Sequence, residues 1–185
     1  MKNVFEIHPI GIVHSPFKEA VGTPVQPFAA AQLGGGAPLL SLHTTLDVIQ
    51  VDTNGGCGTL EINPEWIEAL QDLDGYSHIW VLFWCHQSNQ AKPKVIPYRD
   101  TIARGLFATR APSRPNPIGI SCVRIRAVHG NFVHVSELDI LDGTPIVDIK
   151  PYVPEYDVRE NVKCGWLDLP TARKGVIQAD GRFAK

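Results

Sequence analysis

The residues with the clearest chemical potential are two arginines in the segment GLFATRAPSRPNPIGIS, residues 105–121. Arg110 and Arg114 carry planar guanidinium forks, which suit carboxylate and phosphate groups. Three prolines fix φ and restrict the residue before each of them: Pro112, Pro115 and Pro117. A segment with so few conformations to lose is typical of a pre-organised binding loop. We therefore predict that this arginine–proline segment binds an anion; the alternative is a rigid corner of the fold with solvated arginines.

Positive charge is concentrated around this segment. Residues 99–126 contain six arginines and a single acid, Asp100, which gives about +5 locally, whereas the whole chain carries −2. A protein of this balance is not a polycation that coats nucleic acid nonspecifically. The distribution predicts a local anion site on a mildly acidic protein.

Two further stretches carry polar side chains where a strand is predicted to end. His86 and Gln87 follow the apolar run IWVLFWC, and polar groups at a sheet's rim often face a ligand. The stretch LDILDGTPIVDIKPY carries candidate acid–base groups: Asp139, Asp142, Asp148 and Lys150. Asp142 and Gly143 also form a plain turn signal, so a structural role and an active-site role both stay open. The spacing lacks a metal-loop pattern, and no metal is expected.

Short strands dominate the predicted secondary structure, because Gly and Pro are both abundant. Runs of β-branched and aromatic residues predict strands at residues 4–15, 58–63, 78–87 and 144–154, and a hairpin over 120–141 that turns at 129–131. One helix is predicted in NPEWIEALQDLDG, with Asn63 as N-cap, Pro64 at the first position and an apolar stripe along one side. The stretch from Ala29 to Pro38 contains three consecutive glycines and is predicted to be a mobile loop.

The predicted fold is mainly β: a small closed or strongly bent β-barrel with one short helix and long loops. No GxGxxG follows a strand and no strand–helix alternation is present, which disfavours a Rossmann fold. Residues 1–185 are interpreted as a single domain. The four cysteines form no CxxC pair, the N-terminus lacks the shape of a secretory signal, and the longest apolar run is too short for a bilayer. We therefore expect a cytoplasmic protein with reduced thiols.

Four stretches together resemble the TsaA-like (TrmO) family. They are IGIVHSPFKE, YSHIWVLFWCHQ, the arginine–proline segment and LDILDGTPIVDIKPYVP, which span most of residues 10–154 in the family's order. The resemblance implies a β-barrel methyltransferase that uses S-adenosylmethionine (SAM) and forms a homodimer with the cofactor near the interface. It also implies a tail, residues 155–185, that packs on the barrel or on the dimer partner.

The resemblance also implies site residues. The predicted cofactor-binding residues are Pro24, Val25, Gln26, His86, Gln87, Arg110, Ile120, Ser136, Glu137, Leu138 and Asp139. Val25 stands where the family has an arginine. The predicted catalytic residues are Asp142, Arg114 and Asn116. We further hypothesise that Arg110 serves the cofactor end of the site and Arg114 the substrate end.

The activity implied by the resemblance is methylation of N6 of threonylcarbamoyladenosine at position 37 of tRNA. The target nitrogen bears a carbamoyl group and is a poor nucleophile, so loss of its proton would help. Asp142, Asp139 and His86 are the candidate bases, and the sequence does not choose between them. Two alternative functions remain: methylation of a small molecule or another modified base, and a non-catalytic SAM-binding module.

Overall fold

The structure is a computed structural model, and it describes residues 5–27, 39–43, 48–52, 56–172, 175 and 177–184. Residues 39–43 and 48–52 are described for their backbone alone. The loop predicted at Ala29–Pro38 lies outside the described residues. None of the helices in the described ranges has the length and apolar composition that a membrane span requires.

Six antiparallel strands form a closed barrel. In spatial order they are β1 (Gly11–His14), β10 (Pro145–Pro151), β5 (His78–Trp84), β8 (Ile118–His129), β9 (Phe132–Ser136) and β4 (Gly58–Ile62), and β4 pairs again with β1. The mainly β, non-Rossmann barrel predicted from the sequence is confirmed. The predicted hairpin is confirmed as β8 and β9, which turn at Gly130 with a φ of 56°.

The barrel core consists of β-branched and leucine side chains that alternate along the strands. Every second residue of β1, β4, β5 and β8 points inward, as the two-residue period of a strand requires. The fully enclosed side chains include Val13, Leu60, Ile62, Ile79, Val81, Val123, Val133 and Ile146, each no more than 1% exposed. Because this core is continuous around the barrel, it holds the strand ends at fixed positions.

The barrel closes tightly at Gly11. A Cβ atom on this residue would lie 2.3 Å from the backbone oxygen of Glu61 on β4. Backbone cannot move aside as a flexible side chain can, so only glycine fits where β1 pairs with β4.

The predicted helix is present in a different form. Residues Pro64–Leu70 and Leu73–Gly75 form two short 3₁₀ helices instead of one α-helix. Asn63 does not cap the first helix, because its side-chain amide donates to the Pro9 oxygen at 3.1 Å. Only Leu70 is buried in that first helix, while Trp66 is 48% exposed. The predicted apolar stripe therefore contributes little to the core.

The remaining elements lie outside the barrel. Strands β2 (Leu39–His43) and β3 (Val48–Asp52) pair as a hairpin that the sequence patterns did not predict. Strands β6 (Lys94–Val95) and β7 (Arg104–Gly105) form a two-stranded sheet. The helix α1 (Pro154–Asp157) follows β10.

A second, small core lies beneath the arginine–proline segment. It contains Val95, Leu106, Ala111 and Phe183, with Tyr98 packed against it. A 3₁₀ helix, Leu106–Ala108, continues from β7, and the segment then runs as an irregular loop to β8. This core gives the loop a packed support that the barrel itself does not provide.

The C-terminal tail packs against two loops of the same chain. The Ala179 oxygen accepts from Gly22 N at 2.8 Å, and the Ile177 oxygen accepts from Val25 N at 3.0 Å. The Phe183 oxygen accepts from Asn89 N at 2.8 Å. Residues 177–184 therefore join the loop after β1 to the loop after β5.

Candidate active site

A cavity of about 390 Å³ opens at the end of the barrel where β5 ends and β8 begins. We call it the rim cavity. Its apolar wall includes Phe83, Ile118, Ile140, Leu141 and Phe183. A few polar groups converge among these apolar ones, which is the usual composition of a small-ligand site.

Most of the predicted cofactor-binding residues meet at the rim cavity. Its lining includes Pro24, Val25, Gln26, His86, Gln87, Arg110, Ile120 and Asp139. These residues come from the loop after β1, the end of β5, the arginine–proline segment and the stretch after β9. The barrel brings them together, because β1, β5 and β9 end at the rim where β8 begins.

Arg110 and Gln26 form the polar edge of the cavity. Arg110 Nη1 donates to Gln26 Oε1 at 2.9 Å, and the Arg110 side chain is otherwise exposed. Gln26 has a φ of 138°, a region that residues with a side chain rarely adopt. Such strain is typically retained where the geometry serves binding. The arrangement presents a guanidinium at the cavity edge with several N–H groups still available.

Arg114 has a different environment. Its Nη1 donates to the Thr109 oxygen at 3.0 Å and to the oxygens of Leu106 and Ala111 at 3.4 Å each. Its guanidinium also lies 5.5 Å from the centre of the Phe107 ring. Arg114 lines the cavity, but it also fixes the shape of the arginine–proline segment from within.

Asp139 is the most perturbed acid in the described part of the chain. Its Oδ1 accepts from Ser121 Oγ at 2.5 Å. Burial raises the pKa of Asp139 to about 7, against the lowering effects of the Ser121 hydrogen bond and of the Arg110 charge. The side chain keeps partial exposure because it borders the cavity. A carboxyl group of this kind can exchange a proton near neutral pH.

The two side chains at the end of β5 are uncharged at neutral pH. Burial lowers the pKa of His86, and a hydrogen bond to the Trp84 backbone only partly opposes it. His86 Nδ1 lies 3.3 Å from Thr144 Oγ1, within hydrogen-bonding distance. Burial, followed by the charge of Asp139, raises the pKa of Cys85 to about 11. Cys85 is therefore a thiol and not a nucleophilic thiolate.

Asp142 and Asn116 do not line the rim cavity. Asp142 accepts from Ser15 N at 2.9 Å and pairs with Lys18 Nζ at 2.8 Å. Burial acts to raise the pKa of Asp142, but the Lys18 and Ser15 hydrogen bonds outweigh it and leave that pKa below its usual value. Asn116 is exposed, and its backbone oxygen accepts from Ile118 N at 2.8 Å. Both residues shape loops that border the site.

The three residues before Asp139 also lie away from the cavity. Ser136 Oγ accepts from Arg126 at 2.8 Å, and Glu137 pairs with Arg124 at 2.9 Å. Leu138 is fully enclosed in the barrel core. Glu137 has a φ of 65°, in the left-handed region, immediately before Leu138 and Asp139. This turn redirects the chain from β9 towards the cavity.

Several lining residues were not predicted from the sequence. Tyr98, Ala179, Phe183 and Ala184 all contribute to the wall. Gly119 lies opposite Phe83, and a Cβ on Gly119 would come within 2.3 Å of the Phe83 ring. The glycine after the last proline of the arginine–proline segment could have suggested this close approach. The C-terminal residues gave no local signal.

The fold is a closed six-stranded barrel with an apolar cavity at one rim, and a basic, proline-rich loop borders that cavity. These features define a class of small-ligand-binding β-barrels that is distinct from the doubly wound α/β folds. Residues 12–158 match the family model for the tRNA-methyltransferase O N-terminal domain. The chain therefore belongs to this family, as its sequence motifs indicated.

Named relatives agree with this assignment. A Pyrococcus abyssi protein described as a "probable S-adenosyl-L-methionine-binding protein" is 43% identical over 175 residues, covering 95% of this chain and 83% of its own length. The tRNA (adenine(37)-N6)-methyltransferase of Rattus norvegicus is 35% identical over 84% of this chain, which spans 32% of the rat protein. The crystal structure of TrmO from Pseudomonas aeruginosa is 34% identical with a TM-score of 0.66, covering 92% of this chain and 64% of its own.

Proposed function

We propose that the protein transfers the methyl group of SAM to N6 of threonylcarbamoyladenosine at position 37 of tRNA. The observation that carries the proposal is the rim cavity, where residues that resemble the family's cofactor contacts surround a carboxyl group with a pKa of about 7. Relatives named as SAM-binding proteins and as a tRNA (adenine(37)-N6)-methyltransferase support the cofactor and the substrate class.

The rim cavity fits SAM by the chemistry of its walls. Apolar side chains suit the adenine ring, while Arg110 at the edge suits the cofactor's carboxylate. When bound, SAM supplies an electrophilic methyl group on a positively charged sulfur. His86 is uncharged at neutral pH and does not repel that charge. Gly119 keeps the wall beside Phe83 open, since any larger residue would displace the ring.

Asp139 is our proposed base. Its carboxylate would accept the proton from N6 while that nitrogen gains the methyl group. The N–H bond and the methyl–sulfur bond would then break as the N–C bond forms, and the sulfur would leave as the neutral thioether of S-adenosylhomocysteine. A pKa near 7 provides both a populated carboxylate and useful basicity at physiological pH. Asp142 is less suited, because its lowered pKa makes it a weak base and Lys18 already occupies it. Ser121 orients the Asp139 carboxylate through its hydroxyl group.

Replacing Arg110 and Arg114 by alanine is expected to have different main effects, the first on SAM binding and the second on the free energy of unfolding. Arg110→Ala should weaken SAM binding while the free energy of unfolding stays within about 0.5 kcal/mol, because the side chain is exposed. Arg114→Ala should lower the free energy of unfolding by about 2 kcal/mol, because three backbone oxygens lose a charged donor. Urea denaturation and calorimetric SAM titration measure the two quantities. Equal effects of the two substitutions on both quantities would contradict this division.

The proposed function also includes a homodimeric assembly and a cytoplasmic location. Exposed apolar side chains on α1 and the segment after it suit a homodimer interface: Tyr156, Val158, Val162, Leu167 and Leu169. A tRNA substrate is consistent with a cytoplasmic protein.

The test uses SAM labelled in its methyl group. The protein is incubated with total tRNA from cells that make threonylcarbamoyladenosine and from cells that lack it, and labelled nucleosides are separated after digestion. We expect label in the threonylcarbamoyl nucleoside of the first tRNA and none in the second. Equal labelling of both tRNAs would assign another base as the acceptor. SAM binding without label in either would favour a small-molecule acceptor or a non-catalytic module.

A further inference from the structure

A second cavity, of about 640 Å³, lies on the other side of the arginine–proline segment. Pro112 and Arg114 line the rim cavity, whereas Ser113 between them lines the second one. Phe183 borders both cavities. We call this second space the lysine cavity because Lys92 and Lys94 lie on its wall. One stiff loop therefore separates two binding spaces.

The lysine cavity carries positive charge that the described residues do not neutralise. Its acid, Asp100, is 4% exposed and accepts from Arg104 at 2.7 Å and from the backbone of Thr101 at 2.7 Å. The hydrogen bond from Arg104 is the main reason that the pKa of Asp100 lies below its usual value, so this carboxylate is already satisfied. Lys92 and Lys94 are exposed, and neither has an ion pair within the described part of the chain. The wall thus offers two lysines to an external anion.

Arg182 adds a third positive group, although it is partly committed. It pairs with Asp180 and lies 5.2 Å from the centre of the Tyr98 ring. Its Nη1 also donates to the Ile96 oxygen at 3.3 Å. These contacts fix the guanidinium beside the cavity and leave the two lysines as the positive charges without an ion pair among the described residues.

Ser113 provides an independent sign of a missing partner. Ser113 is 3% exposed. Its Oγ is the one buried side-chain oxygen or nitrogen among the described residues that makes no hydrogen bond. A buried hydroxyl left unsatisfied costs about 1–3 kcal/mol. Ser113 lines the lysine cavity while its Oγ is enclosed, so an acceptor oxygen in that cavity would remove this cost once the side chain turns towards it. An unsatisfied hydroxyl beside two unpaired lysines is the donor set that commonly contacts phosphate in nucleic-acid complexes.

We propose that the lysine cavity binds a backbone phosphate of the tRNA next to the nucleoside that enters the rim cavity. This rests on the proposed tRNA substrate. A carboxylate is the weaker choice, since planar recognition by a guanidinium fork suits it better and Arg110 supplies that at the rim cavity. Lysines act as flexible point charges, which suit a phosphate. The arginine–proline segment then lies between base and backbone and sets the distance between the two.

The test compares the double variant Lys92→Gln/Lys94→Gln with Arg159→Gln/Lys163→Gln, which removes the same charge from two exposed side chains elsewhere on the surface. The dissociation constant for tRNA is measured at several salt concentrations. We expect the first variant to bind tRNA about tenfold more weakly and to lose about 1 from the slope of log affinity against log salt. SAM affinity should be unchanged. The control variant should retain wild-type tRNA affinity; an equal loss in the control would assign the effect to net charge and overturn the proposal.

Ser113→Ala separates ligand binding from folding. The substitution removes an unsatisfied hydroxyl, so the free energy of unfolding should stay equal or rise, while tRNA affinity falls about two- to tenfold. Unchanged tRNA affinity would contradict the proposal, and a loss of stability beside it would show that the hydroxyl has a structural role instead.

Two results distinguish this site from the proposed reaction. If the wild type binds tRNA through these lysines but transfers no methyl group, the reaction is wrong and the phosphate site stands. If it methylates tRNA while the lysine variant keeps its KM and salt slope, the phosphate site is wrong and the reaction stands. An affinity loss confined to tRNA that carries the threonylcarbamoyl group would assign the cavity to that carboxylate and overturn the phosphate.

Discussion

Asp139→Asn is expected to slow methyl transfer about 100-fold or more while SAM still binds, because an amide cannot accept the N6 proton. The wild-type rate should rise with pH as the Asp139 carboxyl group loses its proton, with its midpoint near the pKa of about 7, and then level off. Single-turnover rates between pH 5.5 and 9 measure this profile. The variant's residual rate should lack the rise.

Asp142→Asn is the matched control for this prediction. It removes one carboxylate near the site but outside the cavity lining, and its lowered pKa places its titration below the measured range. We expect its pH profile to keep the wild-type midpoint. A wild-type rate and profile in Asp139→Asn, or loss of the profile in Asp142→Asn, would show that Asp139 is not the base.

Although Asp139→Asn should slow the reaction, it should raise the free energy of unfolding. The folded-state pKa of Asp139 lies above its ordinary value of 3.8, so the folded protein binds this proton more tightly than the unfolded chain does. That contribution is complete below about pH 4 and is lost as pH rises towards 7. Asp139→Asn should therefore gain stability relative to wild type between pH 5 and pH 8, as measured by urea denaturation. A constant difference across this range would show that the carboxyl is not desolvated in solution.

Phe183→Ala should produce the largest loss of stability among single tail substitutions, about 3 kcal/mol or more. Phe183 is 7% exposed, packs in the second core and contacts the Tyr98 ring at 5.1 Å between centroids. It also borders both cavities, so its removal should weaken SAM binding as well. Urea denaturation gives the first quantity and calorimetry the second.

Phe5→Ala serves as the control, because Phe5 is 87% exposed and the same atoms are removed. It should change the free energy of unfolding by less than about 0.5 kcal/mol. If Phe183→Ala were equally mild, the tail would not be packed on the loops in solution.

Runs of β-branched and aromatic residues predicted the barrel strands, because such side chains favour strands and fill their inward-facing positions. Val13, Val81 and Val123 follow that rule and are fully enclosed. The helix prediction was wrong in type, since Asn63 uses its side chain on Pro9 instead of capping. Capping propensity is local, and here a contact between distant residues overrides it.

Residues of the candidate site that belong to a sequence motif could be predicted, whereas residues that reach the site only through the fold could not. Arg110 and Asp139 follow from residue type and family resemblance, and both reach the cavity. The role of Arg114 in holding its own loop depends on backbone oxygens that no sequence pattern reveals. Phe183 enters the wall from far along the chain, and only the folded structure brings it there.

The position of the tail has a consequence for synthesis of the chain. All six barrel strands have been translated once Pro151 is made, yet the rim cavity gains its last wall only from Ala179, Phe183 and Ala184. A nascent chain halted between these points can close its barrel around a complete core, because domains begin to fold during translation. Such a chain would lack a finished ligand site, so ligand binding distinguishes chains that extend through Ala184 from chains that stop earlier but still fold.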